Sequence, residues 1–362
     1  MKIGINSRIF QISYSGISYY TKGLYLELQK IDKKNEYIFF QTDKSKKLGR
    51  TKVAKIMNNI IGAFLFDNIL VRNLCKRNGI DILHGPANIL PFFRKKNLKY
   101  IVTIHDLAFL ANTFQGDNKI FLIYYKYFVR RSLNNADVII ADSFSTKKDI
   151  LKFYKRINEN KIKVIHLGIN GVFLKTKENK KRLIDENYIF SLTTHPKRKN
   201  INSVLRAIAD NESLRDYKYV IAGIIVGDQK RELKELVRKL NLEEQVVLFG
   251  KATEDELVNL YQNAAFFIYP SFYEGFGLPV LEAMSCKCPV ITSNNSSLVE
   301  VTLDDEWLVD PKDLKSIEDK MIRMVNLSAA ERGNLINENY FFSKQFNWNV
   351  TAKKMLKIIK EL

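Results

Sequence analysis

Cysteine is scarce in this 362-residue chain. Its three cysteines cannot complete a disulfide framework and fit a reducing compartment. Cys286 and Cys288 form a C-x-C, but no histidine or further cysteine stands at zinc-ligand spacing, so both read as packing thiols. Long apolar runs are lacking too. No window approaches the ~18 uninterrupted apolar residues of a membrane-spanning helix. The richest, IIGAFLFDNILV, is short and broken by Asp67. The amino terminus, MKIGINSRIF, reads as a first β-strand without the apolar core of a secretory signal. No repeat of solenoid length and no low-complexity tract is present. Acidic residues are in deficit, 39 against 58 basic ones, for a net charge of +19. That balance favours an anionic partner: nucleic acid, an acidic membrane surface or a phosphorylated substrate. A lysine-rich solubilising surface is the plain alternative. The excess thickens in Thr42–Lys55, in Phe93–Lys99 and around Lys126, Arg130 and Arg131. A nucleic-acid binder has the charge on its side, but no zinc, RRM-like or helix-turn-helix signature accompanies it.

What is present is alternation. The length suggests two domains. KIGINS, YIFFQ, DILHG, KYIVTIHD, DVIIADS and KIKVIHLG read as strands, with helical periodicity in GISYYTKGLYLELQKI and NKIFLIYYKYFVRRSLNNA between them. A polar, charged stretch marks a linker over 171–187. A second series follows: YIFSLTT, YKYVIAGI, QVVLFG, AFFIYP, CPVITSNN and EWLVDP as strands, with helices between the earlier ones. Near-continuous apolar strands alternating with helices predict two Rossmann-like α/β domains, 1–170 and 188–344. A carboxyl-terminal helix over about 345–362 is expected to pack back on the first. In such sheets ligands bind at the carboxyl ends of strands.

That rule selects SFYEGFGLPVLEAM, Ser271 to Met284. The strand AFFIYP should end near Pro270, and Pro279 suits a first helical turn. The loop glycines let backbone amides approach a ligand, and the helix start favours an anion. Two carboxylates, Glu274 and Glu282, flank this anion cradle. A carboxylate only accepts hydrogen bonds, so it is useful beside a phosphate if the ligand also carries hydroxyls. A nucleotide sugar offers ribose, pyrophosphate and hexose together. The plain alternative is a glutamate complementing the helix dipole.

EGFGLPVLE resembles the E-x7-E signature of retaining glycosyltransferases of family 4, which have the GT-B fold: two Rossmann-like domains facing a central cleft. SGISYY, VTIHDLAFL, ADSFSTKKDI, VIHLGIN, HPKRKNI and LVDP resemble the same family in order. The resemblance implies that Glu274 touches the donor hexose and Glu282 the ribose. It implies backbone amides of Gly275, Phe276, Gly277 and Leu278 on the sugar and pyrophosphate, with Lys199 and Arg198 neutralising the diphosphate. His105 would lie beside the donor sugar, with Asp106 next to it either catalytic or a helix N-cap. Gly16 would belong to a loop near the diphosphate and acceptor. Thr193 and Thr194 stand where many relatives carry glycine and a basic residue. The implied reaction retains anomeric configuration without a protein nucleophile, the donor phosphate taking the acceptor's proton. No D-x-D clamp is present, so neither a metal nor another cofactor is expected. The SGISYY, TIHDLAFL and RKNI variants look closest to mannosyl- and rhamnosyltransferase-type members, which points to GDP-mannose. The expected acceptor is a lipid-linked or growing cell-surface saccharide, as in lipopolysaccharide synthesis. The expected site is the cytoplasm, peripheral on the inner face of the plasma membrane, with no nucleic-acid partner. The helix KIFLIYYKYFVRRSL could meet that membrane, or simply pack its apolar face in the core. A GT-B nucleotide-sugar epimerase is the same-fold alternative. Glu274→Gln and Lys199→Ala are expected to stop turnover and leave the fold intact.

Overall fold

The computed structural model describes residues 1–8, 16–41, 50–53, 62, 65–111, 119–174 and 181–362. Most of the basic stretch Thr42–Lys55 and part of the expected linker lie outside them. The chain divides into two compact units, Met1–Gly168 with Asn347–Leu362, and Ile169–Phe346.

The first unit holds a seven-stranded sheet: β1 (Lys2–Asn6), β2 (Glu36–Gln41), β3 (Arg50–Val53), β4 (Ile82–Gly85), β5 (Lys99–Ile104), β6 (Val138–Ala141) and β7 (Ile162–Val164). Their order is β3-β2-β1-β4-β5-β6-β7, and every pairing is parallel. The second unit repeats the plan with β8 (Tyr188–Leu192), β9 (Lys218–Ala222), β10 (Val246–Gly250), β11 (Phe266–Tyr269), β12 (Val290–Ser293) and β13 (Leu308–Val309), ordered β10-β9-β8-β11-β12-β13. Parallel pairing forces each connection over a face of the sheet, so helices cover both faces and the strands are apolar almost throughout. EYIFFQ is buried from Tyr37 onward, and FFIY along its whole length. Each order reverses once, between β1 and β4 and between β8 and β11. In open sheets of this kind ligands bind at the carboxyl ends of the strands that flank such a reversal.

Two parts of this fold escape the pattern. β3, RTKV, is a strand although its sequence reads as part of a basic cluster; it is an edge strand. Helices Leu314–Val325 and Ala329–Ser343 were not marked by periodicity, yet the second opens on a capping box, Ser328 with Glu331. That S-x-x-E signal was available.

The chain's end belongs to the first unit for a packing reason. Helix Trp348–Glu361 lies on helix Gly16–Ile31, and the Trp348 indole fills the space left by Gly23, where a Cβ would come within 2.1 Å of the ring. Asn349 Nδ2 donates to Glu27 Oε1 at 3.1 Å, and Thr351 Oγ1 to the His166 carbonyl at 2.9 Å.

Candidate active site

In the second unit, the loops leaving β8 and β11 are tied together. The Phe272 amide donates to the Arg198 carbonyl at 3.0 Å, and Arg198 Nη1 donates to the Tyr273 carbonyl at 3.1 Å. Asn200 ends the first loop in a left-handed conformation, φ 57°, and its amide side chain donates to the Pro311 carbonyl. Helix Ile201–Asp210 then begins. Lys199, one residue earlier, is thereby carried inward.

Lys199 Nζ donates to Glu274 Oε1 and to the Tyr269 hydroxyl. Arg198 Nη1 stands 3.7 Å from Glu274 Oε2, and Ser271 Oγ donates to Oε1 at 2.7 Å. Lys199 and Glu274 are 7% and 8% exposed. Burial alone would raise the Glu274 pKa, but Lys199 and Arg198 hold it below the ordinary carboxylate value. Two cations thus face one carboxylate. His195 is exposed, near the same group. Partial desolvation first, then the two cations, push its pKa below the ordinary histidine value.

Past Glu274 the chain reaches Gly277, whose φ of 111° is reserved for glycine, and a Cβ there would press Leu298 and Val301 at 3.0 Å. Helix Leu278–Ser285 follows, with Pro279 in its first turn. Glu282 lies one turn inside, 9% exposed, on the inner side of the helix. Tyr261, from helix Glu254–Asn263, donates to Glu282 Oε2 at 3.4 Å. Burial lifts the Glu282 pKa to about 7, the tyrosine bond lowering it only in part. Glu282 therefore does not complement a helix dipole at the surface. With its pKa raised that far, Glu282 in its acid form can donate as well as accept, which the sequence reading of two acceptor-only carboxylates did not allow.

In the first unit, His105 follows β5 directly. Its Nδ1 is 2.5 Å from Asp142 Oδ2 and its Nε2 2.7 Å from the Pro86 carbonyl. Its backbone amide donates to Asn88 Oδ1 at 2.9 Å, and Tyr20 packs edge-on at 4.9 Å. Burial would lower its pKa, but the charge and hydrogen bond of Asp142 carry it above the ordinary histidine value. Asp106 does the local work of a cap: Oδ1 accepts from the Ala108 amide at 3.1 Å. The residue paired with His105 is Asp142, which leaves the adjacent strand β6 at the same level, Ile104 of β5 being in register with Ala141. Gly16 is the first residue of helix Gly16–Ile31, where a Cβ would meet no described atom within 4 Å; the loop before it, including Ser15, lies outside the described residues.

The structure thus brings Arg198, Lys199 and Glu274 together, with Gly275 to Leu278 and Glu282 on the same loop and helix. It adds His195, Tyr269, Ser271 and Tyr261 in the second unit, and Asp142 and Asn88 in the first. His195, Tyr269, Ser271, Asn88 and Asp142 all follow or end a strand, so the carboxyl-end rule could have selected them. Tyr261 gave no such signal. The three cysteines are free and buried, as packing thiols are.

A family profile described as Glycosyltransferase Family 4 matches residues 16–171, and one described as Glycosyl transferases group 1 matches residues 173–341. The chain is 28% identical over 291 residues to O-antigen chain mannosyltransferase B of Escherichia coli, covering 78% of this chain and 74% of that one. It is 29% identical over 293 residues to O-antigen chain mannosyltransferase RfbU of Salmonella typhimurium, covering 79% and 78%. Among solved structures, sucrose-phosphate synthase from Thermosynechococcus elongatus matches with a TM-score of 0.77 at 18% identity, over 100% of this chain and 98% of that one. Anabaena HepE in complex with UDP and glucose matches at 0.77 and 15%, over 100% of both. At such identities the structural likeness establishes the fold.

Two outcomes follow from the geometry. Lys199→Ala takes the nearer cation from a buried carboxylate and leaves it Arg198 and Ser271, so it should cost about 3 kcal/mol in urea unfolding. Lys199→Met with Glu274→Gln should recover most of that loss, and a single-variant cost near zero would show that the pair has no structural weight. For Glu282, the folded chain holds a proton that the unfolded chain releases above pH 4.5, its ordinary value. Stability should therefore fall as pH rises from there to about 7, by on the order of 3 kcal/mol. Thermal melts across that window should show the slope in wild type and not in Glu282→Gln; parallel curves would contradict the assignment.

Proposed function

The chain belongs to the glycosyltransferases, with the GT-B fold and of family 4 type, and from that premise we propose that it moves mannose from GDP-mannose to a lipid-linked or growing cell-surface saccharide. The observation that carries the proposal is the buried Glu274, held between Lys199 and Arg198 at the mouth of a glycine-led helix. In this reading Arg198 and Lys199 take the charge that builds on the leaving nucleoside diphosphate. Glu274 then grips hydroxyls of the hexose, Glu282 meets the ribose diol, and amides from Gly275 to Leu278 line the sugar and pyrophosphate. Configuration is retained, the acceptor entering on the leaving-group face. Since two fixed side-chain cations serve the diphosphate, no divalent metal is assigned. Mannose is favoured because both curated relatives described above are O-antigen mannosyltransferases.

Thermal shifts against GDP, UDP and dTDP, followed by transfer assays with the matching sugars, test this. GDP should stabilise most, GDP-mannose should give an α-linked product in the presence of EDTA, and Glu274→Gln should lose at least ~100-fold in kcat. A preference for UDP would overturn the donor. A free epimerised sugar as product would favour the epimerase, and tight oligonucleotide binding without transfer a nucleic-acid role.

The lipid-linked acceptor gains support from one face of the first unit. Helix Lys119–Asn135 buries Phe128, Val129 and Leu133 but exposes Ile123 and Tyr127 beside Lys126 and Arg130. The Phe92 ring stacks on Tyr127 at 5.8 Å, and Arg131 lies over Phe92 at 4.8 Å, which joins the helix to exposed Phe93 and to Lys96. Neither Pro91–Lys99 nor the helix contains an acid. Aromatic and basic side chains on one face suit the headgroup layer of an anionic bilayer, the plasma membrane's inner leaflet in this reading. No described helix is long and apolar enough to cross a membrane. Sedimentation with phosphatidylglycerol vesicles should retain the chain, neutral vesicles should not, and Phe93→Ser with Tyr127→Ser should weaken binding about ten-fold or more. Equal binding to neutral vesicles would overturn the assignment.

A further inference from the structure

The surroundings of His105 fix more than its position. Both ring nitrogens point at oxygen atoms, Asp142 Oδ2 at 2.5 Å and the Pro86 carbonyl at 2.7 Å. A backbone carbonyl can only accept, so Nε2 carries a proton. Burial raises the Asp142 pKa, and the charge and hydrogen bond of His105 offset that in part; in its ionised form Asp142 too can only accept, so Nδ1 then carries a proton as well. The backbone is held as firmly as the ring: the amide on Asn88, and the carbonyl accepting from Thr146 Oγ1 at 3.3 Å. Asp142 and Thr146 both come from the segment ADSFST, where Ser143 caps helix Phe144–Phe153 by accepting from the Thr146 amide.

Asp142 is 1% exposed. Its Oδ1 meets no hydrogen-bond donor among the described residues, and His105 is the one partner of its carboxylate there. A buried carboxylate with a single partner is costly unless that partner is a cation. His84 on β4 makes the contrast. It too is buried, between the Tyr25 hydroxyl at 2.5 Å and Thr103 Oγ1 at 2.8 Å, but it faces hydroxyls that can donate or accept. It needs no charge, and burial takes its pKa down to about 3.

We infer that Asp142 is a positioning residue that keeps His105 doubly protonated, so that His105 serves the transfer as a fixed imidazolium and not as a proton acceptor. The inference rests on the reading of His105 as the first unit's contribution to the reaction. It assigns to Asp142 a role that the motif around Glu274 does not touch. The other titratable groups facing the pair are Tyr20 from helix Gly16–Ile31, His84 from β4, Asp106 beside His105 and His166 after β7. Of these, Asp106 favours the imidazolium, whereas His84 and His166 oppose it when charged; His84 is neutral.

The test is an NMR pH titration of the four histidines in the full chain without substrate, with His105→Gln to assign the resonance. In wild type His105 should titrate above the ordinary histidine value of ~6.5, with both ring nitrogens protonated at neutral pH. Asp142→Asn should lower that midpoint by about one unit or more, and Asp142→Glu should restore most of it. In transfer assays Asp142→Asn should lower kcat about ten-fold or more with KM little changed, and move the alkaline limb of the pH profile to lower pH. A wild-type midpoint at or below the ordinary value would overturn the inference, even if the asparagine variant does not fold. So would a midpoint unmoved in a folded asparagine variant. Because the titration needs no substrate, an inactive chain with the expected midpoints would sink the functional reading alone.

Discussion

The buried pairing of Lys199 with Glu274 is the constraint on which the second unit's site depends. Neither charge would survive alone at that depth, since several kcal/mol of lost hydration must be offset by the partner. The pair therefore couples two loops that are 75 residues apart. The loop after β8 must bring a cation, and the loop after β11 must bring a carboxylate, or both lose their shape. Arg198 reinforces the join through its own carbonyl and guanidinium. An arrangement of two cations around one acid is also chemically open-ended. It holds together without ligand and still leaves the loop net positive for a diphosphate.

The first unit solves the same problem with different groups. At the carboxyl end of β5 and β6, His105 and Asp142 form a buried hydrogen-bonded pair, held by Asn88, Pro86 and Thr146. In both units these polar groups stand at the carboxyl ends of strands: β8 and β11 flank the second sheet's reversal, while β5 and β6 lie one and two strands beyond β4 in the first. Elsewhere the strands are apolar and closed on both faces.

Much of this was legible before any coordinates. The period-two and period-3.6 patterns located nearly all strands, and the Gly-x-Gly-x-Pro knot located the loop, its helix and both glutamates. The failures share a cause. β3 was hidden because an edge strand can be basic. Asp142 went unmarked beside His105 because their contact joins two strands 37 residues apart. The Glu274 and Lys199 roles looked separable because nothing in one dimension reveals a contact across 75 residues.

Local chemistry alone determined the alternating elements, the class of fold, the glycine-led turn and the identity of the charged residues near strand ends. It could do so because propensity, glycine conformations and helix starts are decided within a few residues of the chain. Only the tertiary structure decided which charges are paired and what protonation they carry. Burial, together with the partners that the sheet order brings alongside, holds the Glu274 carboxyl below its ordinary value, lifts Glu282 to about 7 and raises His105 above the ordinary histidine value. The desolvation and Coulomb energies responsible depend on three-dimensional distance, which residue order does not contain.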